Sequence, residues 1–175
     1  FDHTCLVLDE MFDGFEVGAL SPADFRSRIQ ALHGQGITAA QVDACWNAML
    51  GRIPPERIAL LQALRARYRL LLLSNTNAIH VPAFERIIAE HNGIGDFRGL
   101  FDGAYYSCEI GLRKPDAEAF HHVLGRHDAD PARTLFVDDS IQHVVGARAA
   151  GLRAEHLELK QEDVLGLVNR LGLLS

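Results

Sequence analysis

The stretch Leu135-Phe136-Val137-Asp138-Asp139-Ser140 constrains this chain most: a short apolar run ends abruptly in two adjacent carboxylates. An apolar run of this length, bounded by polar residues, has the pattern of a buried β-strand. Buried charge is costly unless it is paired or holds a metal. Two acids at the end of such a strand therefore call for a positive partner, and a divalent cation is the first candidate. In open α/β sheets, ligands bind just beyond the carboxyl ends of the strands, where this pair falls. The plainer alternative is a helix N-cap supplied by Asp139 or Ser140.

The rest of the chain supports an α/β reading. From Pro54 onward, helical and strand patterns alternate. Helices are expected at about residues 57–67, 81–90, 117–124, 142–150 and 162–171, the fourth closed by Gly151. Strands are expected at Leu70–Leu73, Ala104–Tyr106, Thr134–Val137 and about 153–156. Such alternation implies a doubly wound parallel sheet with right-handed crossovers. The continuous run Leu70–Leu73 is what a strand covered on both faces would show.

Up to about Arg52 the pattern is helical only. Ser21-Pro22 offers a cap and a first-turn proline, Phe25, Ile29 and Leu32 follow at helical spacing, and Gly34 ends the run. Thr38 and Gln41 have the spacing of a capping box, opening a helix with Val42, Trp46 and Met49. Gly51–Pro55 reads as a hinge. The expected organisation is a small helical module over residues 1–53 and an α/β core over 54–175.

Composition excludes several classes. The 175 residues carry a net charge of −6 with no basic stripe, which argues against nucleic-acid binding. No apolar run reaches membrane-spanning length. Three widely spaced cysteines, Cys5, Cys45 and Cys108, form neither a disulfide framework nor a zinc motif, and reduced thiols fit a cytoplasmic setting.

Polar residues follow each expected strand. Ser74-Asn75-Thr76-Asn77 follows the first, and Ser107-Cys108-Glu109-Ile110-Gly111-Leu112-Arg113-Lys114-Pro115-Asp116 follows the second. Asp138-Asp139 follows the third. A hydroxyl, a lysine and paired carboxylates on one sheet edge make a phosphate site, in which acids hold Mg2+ against the phosphoryl oxygens. Taken singly, Ser74 is equally an ordinary turn serine and Lys114 a solvated loop lysine. The ring of Pro115 holds Lys114 extended, suited to reaching inward. His80 is read as a structural histidine in preference to a pocket residue, and Trp46, Met49 and the neighbouring aromatics as helical-module core.

In order and wording these three segments resemble the second, third and fourth motifs of the haloacid dehalogenase-like hydrolase superfamily. The nearest subgroup contains sugar-phosphate phosphatases and the N-terminal domains of epoxide hydrolases. The resemblance covers residues 54–175, and Phe15–Ser21 is similar to the subgroup's helical cap. It implies a Rossmann-like core with a small cap, and a Mg2+-dependent phosphatase acting on a small phosphate monoester, sugar phosphates included, through an aspartyl-phosphate. Ser74 would hydrogen-bond the transferring phosphoryl group, Asn75 would line the pocket, and Lys114 would stabilise the nucleophile and the phosphoryl charge. Asp138 would bind Mg2+ directly, and Asp139 would ligate it through water or brace the site. The cap would set specificity, with Phe12, Phe15, Glu16 and Trp46 as candidates.

The family's nucleophilic aspartate is not found in this sequence. Phe1-Asp2 has the right two letters but no strand before it, so the nucleophile is expected upstream of Phe1. A metal-free 2-haloacid dehalogenase, or an inactive relative that binds a phosphorylated ligand or a partner protein, are the alternatives. The expected partner is a small phosphorylated metabolite, and the expected state a monomer or homodimer.

Overall fold

The computed structural model describes residues 3–33 and 36–175; Asp2 and Gly34, singled out above, lie outside them. The chain divides into two compact units, each assembled from separate stretches. The first comprises residues 1–53, 74–97 and 105–111, and the second 54–73, 98–104 and 112–175.

The first unit holds helices α1 (His3–Glu16), α2 (Pro22–His33), α3 (Ala39–Asn47), α5 (His80–Asn92) and α6 (Ser107–Ile110). Local sequence explains their ends. Ser21 Oγ accepts from the Asp24 amide at the start of α2, and Thr38 and Gln41 close a reciprocal capping box on α3. Helix α5 stops at Gly93, which takes the left-handed conformation at φ 69°. Met11, Phe15, Phe25 and Ile79 form a buried core, with Phe12, Ile29 and Trp46 packed against it. Phe15 and Phe25 stack with ring centroids 4.1 Å apart, and Trp46 lies 4.8 Å from Phe25. The expected core role thus holds for Trp46. Met49 and Leu32 lie outside that core and are exposed; the helix expected to carry Met49 ends at Asn47, and Met49 falls in the turn beyond it.

The second unit contains α4 (Pro55–Arg65), α7 (Ala117–Arg126), β3 (Leu135–Asp138), α8 (Ile141–Ala149), β4 (Arg153–His156) and α9 (Val164–Arg170). Phe120 and Leu124 of α7 bury against Val144 and Ala147 of α8 and Ala154 of β4. Strands β3 and β4 pair in parallel, with Asp138 opposite His156. The remaining strands, β1 (Leu71–Ser74) and β2 (Gly103–Tyr106), pair with each other. Among the described residues the strands therefore form two two-stranded sheets. Every residue of β1 is half-buried, not fully covered as the leucine run suggested.

Two glycines are required by close backbone approach. Gly18 sits at φ +71°, and a Cβ there would overlap the backbone carbonyl of Cys108. Gly146 allows α8 to approach Pro115, whose carbonyl a Cβ would likewise meet. Gly18→Ala combines positive-φ strain with this overlap and should destabilise the protein by about 2 kcal/mol. In thermal unfolding of wild type and variant, this corresponds to a midpoint lowered by roughly 4–8 °C.

Candidate active site

Strand β3 delivers Asp138 at its last residue, and the turn into α8 then arranges donors around it. Lys114 Nζ donates to Asp138 Oδ2 at 2.6 Å, with both side chains 9% exposed. The Ser140 amide donates to Oδ1 at 2.8 Å, and His143 Nδ1 lies 3.0 Å from the same oxygen. An ionised carboxylate only accepts, so His143 carries a proton on Nδ1 in this contact. Burial alone would push the Asp138 carboxyl up, but the Lys114, Ser140 and His143 contacts outweigh it and hold the group below the usual carboxylate range.

Lys114 is therefore not a solvated loop lysine. It is buried, and its ammonium also lies 5.4 Å from the centre of the Phe136 ring. The capping alternative fares differently at each position. Ser140 occupies the N-cap position of α8 without a side-chain capping bond, its amide being turned back to Asp138. Asp139 is exposed, and its backbone carbonyl accepts from His156 Nε2 at 3.1 Å. Among the described residues its carboxylate takes part in no hydrogen bond or ion pair.

Ser74 closes β1, with half-buried Asn75 next. The loop beyond is fixed within the first unit. Ser107 Oγ accepts from the Thr76 amide at 2.9 Å and donates to the Thr76 carbonyl at 3.0 Å. Asn77 is buried, and its Oδ1 accepts from the amides of Ile79 and His80. The structure thus brings Lys114 and Asp138 into direct contact and places Asp139 beside them in sequence. Ser74 and Asn75 belong to the loop of the other unit.

His143 and His80 are the residues whose importance the sequence understated. His143 lies five positions past Asp138, and its only sequence signal is a polar side chain in the first turns of the helix after the acidic pair.

The donor set suits a hard divalent cation, since carboxylate oxygens are what Mg2+ prefers. Asp138 accepts from protein donors on both oxygens, and Asp139 beside it is exposed. Among the described residues no three His, Cys, Asp or Glu side chains are grouped to hold a metal together. Mg2+ is often held by one or two carboxylates plus waters and substrate phosphate, and the pair fits that mode.

Comparison with known proteins places the chain in a family. Residues 7–151 match the haloacid dehalogenase-like hydrolases, and the chain belongs to that family. It is 29% identical over 159 residues to a sesquiterpene phosphatase of Aspergillus oryzae, covering 89% of this chain and 76% of the relative. It is 28% identical over 139 residues to a D-ribitol-5-phosphate phosphatase of Bacteroides thetaiotaomicron, covering 77% of this chain and 65% of the relative, just under two thirds of that protein. A crystal structure of a haloacid dehalogenase family enzyme of Bacteroides thetaiotaomicron, a magnesium complex, superposes with a TM-score of 0.84 at 33% identity, covering 91% of this chain and 79% of that one. The same enzyme has been solved with magnesium and inorganic phosphate (TM-score 0.79, 32% identity, 90% and 78% covered).

The lowered Asp138 pKa fixes a pH dependence. A depressed folded-state pKa contributes stability that is fully present above the unfolded value, about 3.9, and is lost as pH falls through the folded value. Thermal melts of wild type and Asp138→Asn between pH 7 and pH 2 should therefore show a wild-type advantage that is constant near neutrality and shrinks below about pH 4.

Proposed function

We propose that the protein containing this chain is a Mg2+-dependent phosphatase of small phosphate monoesters, cytoplasmic in location. The observation that carries this reading is the buried Lys114–Asp138 pair with the exposed Asp139 carboxylate beside it. The phosphatase activities of the two relatives support it, as does the magnesium and phosphate complex of the structural neighbour.

Within this reading each residue has a task. Lys114 is held by Asp138 so that its charge faces the transferring phosphoryl group, where negative charge is spread over three oxygens. Ser140 and His143 hold the other oxygen of Asp138 and so orient its carboxylate. Asp138, at the end of β3, is the residue we assign to direct contact with the ion, and Asp139, exposed beside it, would ligate the ion through water or brace the site. A bound Mg2+ would neutralise phosphoryl charge and orient the ester. Ser74 would donate its hydroxyl to a phosphoryl oxygen, and Asn75 would line the substrate pocket, as the family resemblance implies. The phosphoryl group would pass from the ester oxygen to an aspartate carboxylate as the P–O ester bond breaks, and the departing alkoxide would take a proton from solvent water. Water then cleaves the acyl phosphate, releasing inorganic phosphate. No described residue is assigned as that nucleophile.

The two relatives act on chemically distant substrates, a sesquiterpene phosphate and a sugar-alcohol phosphate, as their names state. A generic aryl phosphate is therefore the appropriate first substrate. The full-length protein should release phosphate from p-nitrophenyl phosphate with Mg2+ and lose that activity in EDTA. Lys114→Ala and Asp139→Asn should each lower kcat about 100-fold or more while the protein stays folded by circular dichroism. Full activity of Asp139→Asn, or chloride release from a 2-haloacid without Mg2+, would overturn the assignment.

A further inference from the structure

His80 makes contacts that the reaction outlined above does not use, and they form a chain with a single consistent direction. Asn77 Oδ1 accepts from the amides of Ile79 and His80, at 3.1 and 3.0 Å, so its carboxamide oxygen faces the backbone. Its NH2 group must then face outward, where His80 Nδ1 lies 3.1 Å from Nδ2. Because that NH2 can only donate, Nδ1 must accept, and the neutral ring carries its proton on Nε2. That nitrogen is 3.0 Å from the carbonyl oxygen of Trp46, in the last turn of α3. The carbonyls of a helix's last turn lack intrahelical partners, so the imidazole N–H fills a real vacancy. The Trp46 ring then stacks on the imidazole, with centroids 5.5 Å apart and planes 21° from parallel. One tautomer satisfies every contact.

The two ends of this bridge have different duties. Asn77 ends the loop that begins at Ser74, and the loop is otherwise held through Thr76 and Ser107. Trp46 belongs to the aromatic core of the helical segment, stacked on Phe12 at 5.5 Å. Ile79, between Asn77 and His80, is itself buried in that core. We infer that His80 is a positioning residue: it locks the Ser74–Asn77 loop to the carbonyl end of α3 and so fixes where the Ser74 hydroxyl stands. The kinetic side of this inference rests on the phosphatase reading, while the clamp itself does not.

The test compares His80→Ala with His80→Gln in the full-length protein. The glutamine amide can still reach the Trp46 carbonyl as a donor. His80→Ala should speed hydrogen exchange at the amides of residues 79 and 80, which bond Asn77, by about tenfold or more, leaving those of Phe136 and Val137 unchanged. In the same variant, KM for p-nitrophenyl phosphate and Ki for inorganic phosphate should rise about tenfold, because a displaced hydroxyl weakens phosphoryl contact. A merely structural role would lower the active fraction and leave KM and Ki where they were. His80→Gln should restore most of both effects. Unchanged exchange at residues 79 and 80 in His80→Ala, unchanged Ki in an active variant, or a glutamine variant no better than alanine would each overturn the inference. A wild-type protein inactive on phosphate esters would instead defeat the phosphatase reading, with the exchange data still deciding the clamp.

Discussion

The ion pair between Lys114 and Asp138 is the interaction on which the candidate site depends. Two charged groups shielded from water cost several kcal/mol each unless they find one another, and losing either partner typically costs about 3–5 kcal/mol. The second unit is arranged to meet that demand. Strand β3 ends at Asp138, the first turn of α8 returns the Ser140 amide and His143 to it, and Gly146 lets α8 close on Pro115, next to the lysine. The pair is a weak contributor to net stability and a strong constraint on geometry. It fixes an ammonium group at one place and one height above the strand end.

Much of this was legible in the sequence because it was local. The apolar run stopping at Asp138-Asp139 marked β3, the Thr38–Gln41 spacing marked a capping box, and the alternation after Pro54 marked an α/β protein. The order of Ser74, Lys114 and the acidic pair pointed to phosphate chemistry and to the family, to which the chain does belong. Strand and helix ends mostly fell within two or three residues, the usual uncertainty where end turns fray.

What escaped was contact across long separations. That Asp138 spends both oxygens on protein donors depends on how the β3–α8 turn folds back, which residue order does not report. His80 read as structural because a lone histidine usually is one. Its partner Trp46 lies 34 positions away, and only the folded chain joins them. Met49 matched the helical spacing of core residues but is 73% exposed, because α3 ends at Asn47 before reaching it.

The boundary at Gly51–Pro55, which reads as a hinge in the sequence, looks like a place to cut the chain. The first unit, however, also draws on residues 74–97 and 105–111. Its parts are interleaved with the second unit along the sequence, so the helices before the hinge do not form a detachable cassette. Exchanging residues 1–53 for those of a relative would leave His80 facing a foreign helix end and Ser107–Cys108 facing a foreign turn where Gly18 now fits. For this chain, exchanging the first unit whole means transplanting three discontinuous segments as a set.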